Sequence, residues 1–129
     1  MIGILLVTHG EIGKSFIECS SHILGKSIDY LECIPIEPKT DTDICQNLIA
    51  KEIENLNQGC GVLILTDIYG ATPSNLLTKF IIKDQVEVIT GINLPMLIQA
   101  ITERDTNLSI LIKKCIKCAE ESIKRVNYL

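Results

Sequence analysis

Several residue types that mark particular classes of protein are scarce in this chain of 129 residues. Tryptophan is absent, and the only arginines are Arg104 and Arg125. A chain with no basic stripe and a formal net charge of −4 is a poor candidate for binding nucleic acid. No apolar run is long enough to span a bilayer, and the N-terminus lacks the charged segment of a signal peptide. We therefore expect a cytoplasmic protein without a nucleic-acid partner.

The motifs of common cofactor and metal sites are also missing. There is no Walker A loop, no G-x-G-x-x-G and no acidic cluster that would mark a magnesium site. Six cysteines are present, and Cys115 and Cys118 form a C-x-x-C inside a helical pattern, but no second pair completes a zinc site. We expect reduced thiols in a cytosolic chain, and neither a metal nor a cofactor.

What the chain does contain is an alternation of apolar runs and amphipathic segments. Short apolar runs predict strands at residues 2–7, 30–36, 62–65 and 86–89. Helical patterns occupy 12–24, the segment after 40–43, the segment from Thr72 and Pro73, the segment after Asn93, and 108–126. This order predicts a single α/β domain over 1–129, with an open, mostly parallel sheet and helices on both faces.

Two of these predictions concern which side chains begin or face a helix. Thr72 is a suitable N-cap and Pro73 a suitable first residue for the third helix. The second helix is expected to turn Ile44, Leu48, Ile49 and Ile53 toward the core. The strand order cannot be read from the sequence. If it is 2-1-3-4, the loops after the first and third strands face each other across the switch point.

Those two loops carry His9 and Asp67. Neutral imidazole is a good nucleophile near neutral pH, because its unperturbed pKa is about 6.5. One ring nitrogen can attack phosphorus while a carboxylate on the other fixes the tautomer and stabilises the positive charge that develops. The sequence therefore predicts a phosphate-handling site with His9 as the nucleophile and Asp67 as its orienting group. His22, inside the first helix, is expected to be structural.

A transferred phosphoryl group also needs hydrogen-bond donors for its oxygens. The two loops offer hydroxyls and main-chain amides for this purpose. The candidate phosphate-binding residues are Thr8, Gly10, Gly70, Ala71 and Thr72.

Three segments together resemble a known family. They are residues 6–10 (LVTHG), the stretch from Thr66-Asp67 through residues 70–75 (GATPSN), and residues 91–97 (GINLPML). In this order and spacing they are similar to the mannose-type enzyme IIA components of the bacterial phosphotransferase system, over essentially the whole chain. The resemblance implies a flavodoxin-like sheet, a homodimer and a phosphorylated His9. It also implies HPr as phosphate donor, a IIB protein as acceptor and an indirect association with the membrane permease subunits IIC and IID. Asp67 would then orient the His9 ring, and Thr72 would contact the phosphoryl oxygens.

The chain departs from the family pattern at Ala71, where a second glycine is common, and it ends at Leu129 without an attached IIB domain. Three alternatives stay open. A regulatory module could use the same His9 to control a partner outside transport. The phosphocarrier subunit of dihydroxyacetone kinase has a similar fold and an early histidine. Phosphohistidine mutases and phosphatases also have a His-Gly at a strand end, but there an arginine precedes it, whereas here Thr8 does. An apolar surface formed by Ile12, Ile68 and Tyr69 is a candidate for docking the partner.

Overall fold

The computed structural model describes residues 1–127 and places one four-stranded sheet within them. The strands are β1 (Gly3–His9), β2 (Leu31–Ile36), β3 (Val62–Thr66) and β4 (Val86–Ile89). Each neighbouring pair is parallel, and the order across the sheet is β2-β1-β3-β4. The predicted flavodoxin-like arrangement and its 2-1-3-4 order are therefore confirmed. Because β1 and β3 are parallel neighbours, their carboxyl ends lie side by side at the same edge of the sheet.

Helices cover both faces of the sheet. They are α1 (Ile12–Leu24), α2 (Thr42–Leu56), α3 (Thr72–Leu77), α4 (Leu94–Thr102) and α5 (Leu108–Ser122), with a 3₁₀ turn at Thr78–Phe80. Side chains of α1, α4 and α5 pack with Leu6 and Leu65 on one face, and those of α2 and α3 pack with Leu5 and Ile64 on the other. A strand covered on both faces buries every side chain, which explains the unbroken apolar runs. Within residues 1–127, no helix combines the length and the apolar character needed to cross a membrane.

The core-facing side of α2 agrees with the prediction at Ile49 and Ile53 but not at Ile44 and Leu48. Ile44 and Leu48 are 60% and 48% exposed, whereas Cys45 and Ile49 are buried. Ile53 is partly buried against the same core. The helix is therefore rotated by about one residue from the face that Ile44 and Leu48 suggested, because Cys45 serves as a small apolar core residue.

Two helix ends also differ from their predictions. The N-cap of α3 is Ala71, so Thr72 is the first helical residue and Pro73 the second. α3 therefore begins one residue earlier than expected, after a turn in which Gly70 has φ +79°. At the other end of the chain, α5 stops at Ser122 instead of continuing to Val126. The residues that would extend it lie 84% and 93% exposed at Ile123 and Val126, so tertiary packing gives the extra turn no support.

Candidate phosphoryl-transfer site

His9 is the last residue of β1, and the chain turns away immediately after it. Gly10 adopts φ +48° and donates its N–H to Ile36 O of the neighbouring strand at 3.0 Å. A positive φ of this kind favours glycine, and no atom lies within 4 Å of the position that a Cβ would take there. The turn leaves the His9 side chain 45% exposed at the carboxyl edge of the sheet.

Asp67 follows β3 and holds His9 by both its main chain and its ring. One carboxylate oxygen, Oδ2, accepts from the His9 main-chain N–H at 2.9 Å and lies 2.9 Å from His9 Nδ1. The other oxygen, Oδ1, accepts from the N–H of Ile68 at 2.9 Å. The structure thus brings the two residues together across the switch point of the sheet.

The ionisation of Asp67 follows from these contacts. Burial by itself would raise the pKa of the carboxyl, but the hydrogen bonds from His9 and Ile68 outweigh it and hold the pKa below its ordinary value. The side chain is 12% exposed and remains a carboxylate at neutral pH. An ionised carboxylate can only accept hydrogen bonds, so Nδ1 of His9 must carry the ring proton. In the neutral imidazole the lone pair is then on Nε2, and Nε2 has no hydrogen-bond partner among residues 1–127.

Thr8 faces the opposite side of the sheet from the His9 ring and serves the adjacent helix. Its Oγ1 is buried and accepts from the N–H of Gly13 at 3.0 Å. The N-cap residue of α1, Glu11, makes no capping bond with its own side chain. Thr8 therefore supplies an acceptor for the first turn of α1 from the strand below it.

The contact between Thr8 and Gly13 is close. A Cβ at Gly13 would lie 3.0 Å from Thr8 Oγ1 and 3.2 Å from Cys33 Cβ. Glycine at this position lets α1 approach the sheet near the site.

A cleft of about 610 Å³ opens beside the His9 ring. Its walls are the β1–α1 turn, the β2–α2 loop and the start of α3, and the lining residues are His9, Gly10, Ile36, Glu37, Pro38, Thr40, Thr42, Thr72 and Leu76. The cleft brings Thr72 to the same space as His9. Gly70 and Ala71 belong to the same loop as Thr72 but are not part of this lining.

The wall formed by the β2–α2 loop was not identified from the sequence. Thr40 and Thr42 place two hydroxyl-bearing residues there, and Thr40 Oγ1 accepts from the N–H of Glu37 at 2.7 Å. The available signal was strand order. β2 is the other neighbour of β1, so the loop after β2 must also lie at the edge that carries His9.

The amides of the β3–α3 loop have weak internal partners. Gly70 N–H reaches Ser74 Oγ at 3.4 Å, and Ala71 N–H reaches Ile68 O at 3.4 Å. Both distances exceed the usual 2.7–3.2 Å of a protein N–H···O bond. These donors are available to a better acceptor that enters the loop.

Several side chains near the site are apolar and exposed. Ile12, Ile68 and Tyr69 are 47%, 60% and 84% exposed. His22 lies on the surface of α1, outside the cleft that contains His9. These placements leave Ile12, Ile68 and Tyr69 free to meet another protein.

The two cysteines of the C-x-x-C lie outside the cleft beside His9. Cys115 and Cys118 are inside α5, and burial, with the nearby Cys118 thiol as a second cause, raises the pKa of Cys115 to about 12. A thiol with so high a pKa is not a nucleophile at neutral pH. Among residues 1–127, no three His, Cys, Asp or Glu side chains are grouped in a way that could hold a metal ion.

Comparison with known proteins places this geometry in context. The sequence profile described as the fructose IIA component of the phosphotransferase system (EIIA-man) matches residues 3–117. The mannose-specific EIIAB component of Escherichia coli is 28% identical over 95% of this chain, and the chain spans only 39% of that relative's length. The fructose-specific EIIA component of Bacillus subtilis is 25% identical over 98% of this chain and 92% of its own.

A solved structure has the same fold over nearly its whole length. The phosphotransferase system component EIIA from Streptococcus agalactiae superposes with a TM-score of 0.84 at 25% identity, covering 97% of each chain. The matched region of 3–117 includes every strand and all but the end of α5.

Proposed function

The chain belongs to the fructose/mannose-type IIA family of the phosphotransferase system, and from that premise we propose that it is a phosphohistidine carrier in sugar uptake. It takes a phosphoryl group from phospho-HPr on His9 and passes it to a IIB protein. The observation that carries the proposal is the pairing of Asp67 Oδ2 with His9 Nδ1 at 2.9 Å, which leaves Nε2 as the free nucleophile of a 45% exposed ring.

The chemistry is the transfer of a phosphoryl group to a ring nitrogen of His9. The lone pair of His9 Nε2 attacks phosphorus, and the bond between phosphorus and the donor atom breaks, returning an electron pair to the donor. The proton on Nδ1 stays in its hydrogen bond to Asp67, whose negative charge offsets the positive charge on the ring. In the donation to IIB, a nucleophile of IIB attacks phosphorus and the bond between phosphorus and His9 Nε2 breaks. Neither step uses a cofactor or a metal.

The phosphoryl oxygens need donors beside His9. The proposal assigns this role to the Thr72 hydroxyl in the cleft and to the weakly bonded amides of Gly70 and Ala71. The amide of Gly10 already donates to Ile36 O, and Thr8 Oγ1 is buried on the α1 side of the sheet, where it accepts from the N–H of Gly13. These two residues therefore contribute by shaping the turn that presents His9.

The decisive experiment is phosphorylation of the purified chain with phosphoenolpyruvate, enzyme I and HPr, followed by intact mass spectrometry. We expect one acid-labile phosphate that requires HPr. It should vanish in His9→Ala and persist in His22→Ala, which removes the chain's other histidine. If HPr is shown to be phosphorylated and the wild-type chain still gains no phosphate, the proposal fails.

The acceptor is tested by adding IIB proteins to the phosphorylated chain. Loss of phosphate from His9 with its gain on IIB supports a transport relay. A His9 phosphate that no IIB discharges favours the regulatory alternative, in which the phosphorylation state is read by another partner.

We also propose that HPr and IIB dock on the exposed apolar surface of Ile12, Ile68 and Tyr69 beside His9. Tyr69→Ala should then slow transfer from phospho-HPr and to IIB. If both rates stay at the wild-type value, Tyr69 has no part in docking.

The proposal further includes a cytoplasmic homodimer that works with the permease subunits IIC and IID. β4 is an edge strand of the sheet, and a groove of about 470 Å³ beside it is lined by apolar side chains that include Ile116 and Ile123. Ile123 is 84% exposed. Sedimentation of the wild-type chain and of Ile123→Lys tests the dimer, and a monomeric wild-type chain at micromolar concentration would contradict it.

A further inference from the structure

The turn between β4 and α4 forms a hydrogen bond to the main chain of Asp67. The paired register of β3 and β4 ends at Leu65 and Ile89. Beyond that point the carbonyl of Asp67 accepts from the N–H of Gly91 at 2.9 Å, and the carbonyl of Thr66 accepts from the N–H of Ile92 at 3.0 Å. The turn therefore continues the support that a longer β4 would have given to the end of β3.

Gly91 is itself held in place by Asn93. Gly91 has φ +78°, a conformation that favours glycine. The carboxamide of Asn93 works in two directions: Nδ2 donates to Gly91 O at 3.2 Å, and Oδ1 accepts from the N–H of Met96 at 3.1 Å as the N-cap of α4. Met96 is buried in the core. Asn93 thus joins a flexible glycine turn to a helix that is anchored by packing.

The contacts run without a break from α4 to the His9 ring. Asn93 bonds to Gly91, Gly91 bonds to the carbonyl of Asp67, and the Asp67 carboxylate bonds to Nδ1 of His9. We propose that Asn93 is a positioning residue, which fixes the Nδ1–H tautomer of His9 by acting through Gly91 and Asp67. Its effect on the rate of phosphoryl transfer depends on the function proposed above, whereas its effect on the tautomer does not.

Asn107 provides a matched comparison. It is the N-cap of α5, and its Oδ1 accepts from the N–H of Ile110 at 2.9 Å, the same capping bond that Asn93 makes. It precedes a helix at the amino edge of the sheet, away from His9, and its carboxamide makes no bond to a site loop within residues 1–127. Serine caps helices about as well as asparagine. Replacing either asparagine by serine therefore keeps the cap, and only Asn93→Ser also removes a donor to Gly91.

The test is ¹⁵N NMR of the ring nitrogens in the full-length chain, labelled at histidine. With only His9 and His22 in the sequence, the spectrum contains two imidazoles, and His22 on the surface of α1 is an internal reference. In the wild type we expect a protonated Nδ1 and an unprotonated Nε2 at His9. Asn93→Ser should move His9 toward a mixture of the two tautomers and leave His22 unchanged. Asn107→Ser should alter neither ring.

The rate of phosphorylation by phospho-HPr is the second measurement. We expect Asn93→Ser to slow it by about tenfold, the lower end of what is lost when an outer partner of a site is removed. A wild-type tautomer at His9 in Asn93→Ser overturns the inference, whether or not the rate falls. An equal change in Asn107→Ser overturns it too, because helix capping would then explain both. If the wild-type chain accepts no phosphate, the proposed function fails, but the tautomer comparison still decides the role of Asn93.

Discussion

The two edges of the sheet each contain a charged side chain held by main-chain groups, but they use it for different ends. At the amino edge, Arg104 is 5% exposed and donates from Nε, Nη1 and Nη2 to the carbonyls of Ile2, Asp29 and Tyr30 at 2.9, 2.7 and 2.7 Å. At the carboxyl edge, Asp67 accepts from main-chain N–H groups and also from the His9 ring. All three nitrogens of the arginine donate to main-chain carbonyls, so the guanidinium is held by the backbone alone. The carboxylate holds a ring that still faces solvent.

The difference suggests that Arg104 contributes mainly to stability and Asp67 mainly to the reactivity of the site. The arginine joins the start of β1 to the loop before β2 through three hydrogen bonds to main-chain carbonyls. The aspartate holds the end of β1 in a similar way, but it also bonds to Nδ1 of His9, the ring that the proposed function uses as nucleophile. We therefore expect substitutions at Arg104 to lower the free energy of unfolding and substitutions at Asp67 to act mainly on phosphoryl transfer.

The largest effect should come from Asp67→Asn. An asparagine can present its NH₂ group to Nδ1, which would favour the tautomer with the proton on Nε2 and remove the nucleophilic lone pair. By analogy with the wrong-tautomer effect in hydrolase triads, transfer from phospho-HPr should slow on the order of ten-thousandfold. Rapid-quench kinetics measures this rate.

Asp41→Asn is the control for that measurement. Asp41 caps α2 at the same edge of the sheet, accepting from the N–H groups of Asp43 and Ile44, and asparagine caps equally well. An equal loss of rate in Asp41→Asn would show that removing any carboxylate from this edge slows transfer. The contact between Asp67 and His9 would then not be the cause.

The next largest effect should be on folding. Arg104→Ala leaves three carbonyls without their donor, and we expect the free energy of unfolding to fall by about 3 kcal/mol in urea titration. Arg125→Ala removes the only other arginine, which is exposed after α5, and should change stability by less than about 0.5 kcal/mol. Similar losses from the two variants would mean that charge and not the buried contacts accounts for the effect.

The free energy of unfolding at acidic pH should depend on Asp67. Its pKa is lowered on folding, so its stabilising contribution is complete above the unfolded pKa, near the ordinary value of 3.8, and is lost as pH falls through the lower folded value. The difference in unfolding free energy between the wild type and Asp67→Asn should therefore shrink as pH falls below this value. If the difference in unfolding free energy stays constant through the acid range, the pKa of Asp67 is not lowered by folding.

The smallest effect should be that of Thr8→Val. The variant keeps the shape of the side chain but removes the Oγ1 that accepts from Gly13 N–H, and we expect a loss of about 1 kcal/mol, as for a removed helix cap. Thermal or urea unfolding measures it. A loss below the error of that measurement would mean that the first turn of α1 needs no acceptor from β1.

The sequence could predict the framework because strands buried on both faces leave a clear record. The apolar run before His9 and the one before Asp67 located both strand ends, and the helix-strand alternation indicated a parallel sheet. No local pattern contains the strand order, and the flavodoxin-like sheet was expected from the resemblance to a known family. Once β1 and β3 are neighbours, the approach of the loops that follow them is a consequence of topology.

Details that depend on tertiary packing were not accessible in this way. The burial of Cys45 instead of Ile44 depends on how α2 meets the sheet, and both residues are apolar enough to fit a core-facing stripe. The wall of the cleft at Thr40 and Thr42 comes from the path of a loop. The sequence also showed Thr8 as a hydroxyl near the site without showing that its oxygen faces α1.

The shared oxygen of Asp67 has a consequence for the entropy of the encounter between proteins. Because Oδ2 binds the main-chain N–H and the ring of His9 together, turning the ring away means giving up a bond made by the same oxygen that secures the end of the strand. Much of the rotational freedom of the imidazole is therefore lost when the chain folds, before any partner arrives. In the proposed transfer, HPr and IIB would meet a ring in the same orientation, and neither would have to bear the cost of ordering it. A site arranged in this way suits the proposed transfer of a phosphoryl group both to and from His9.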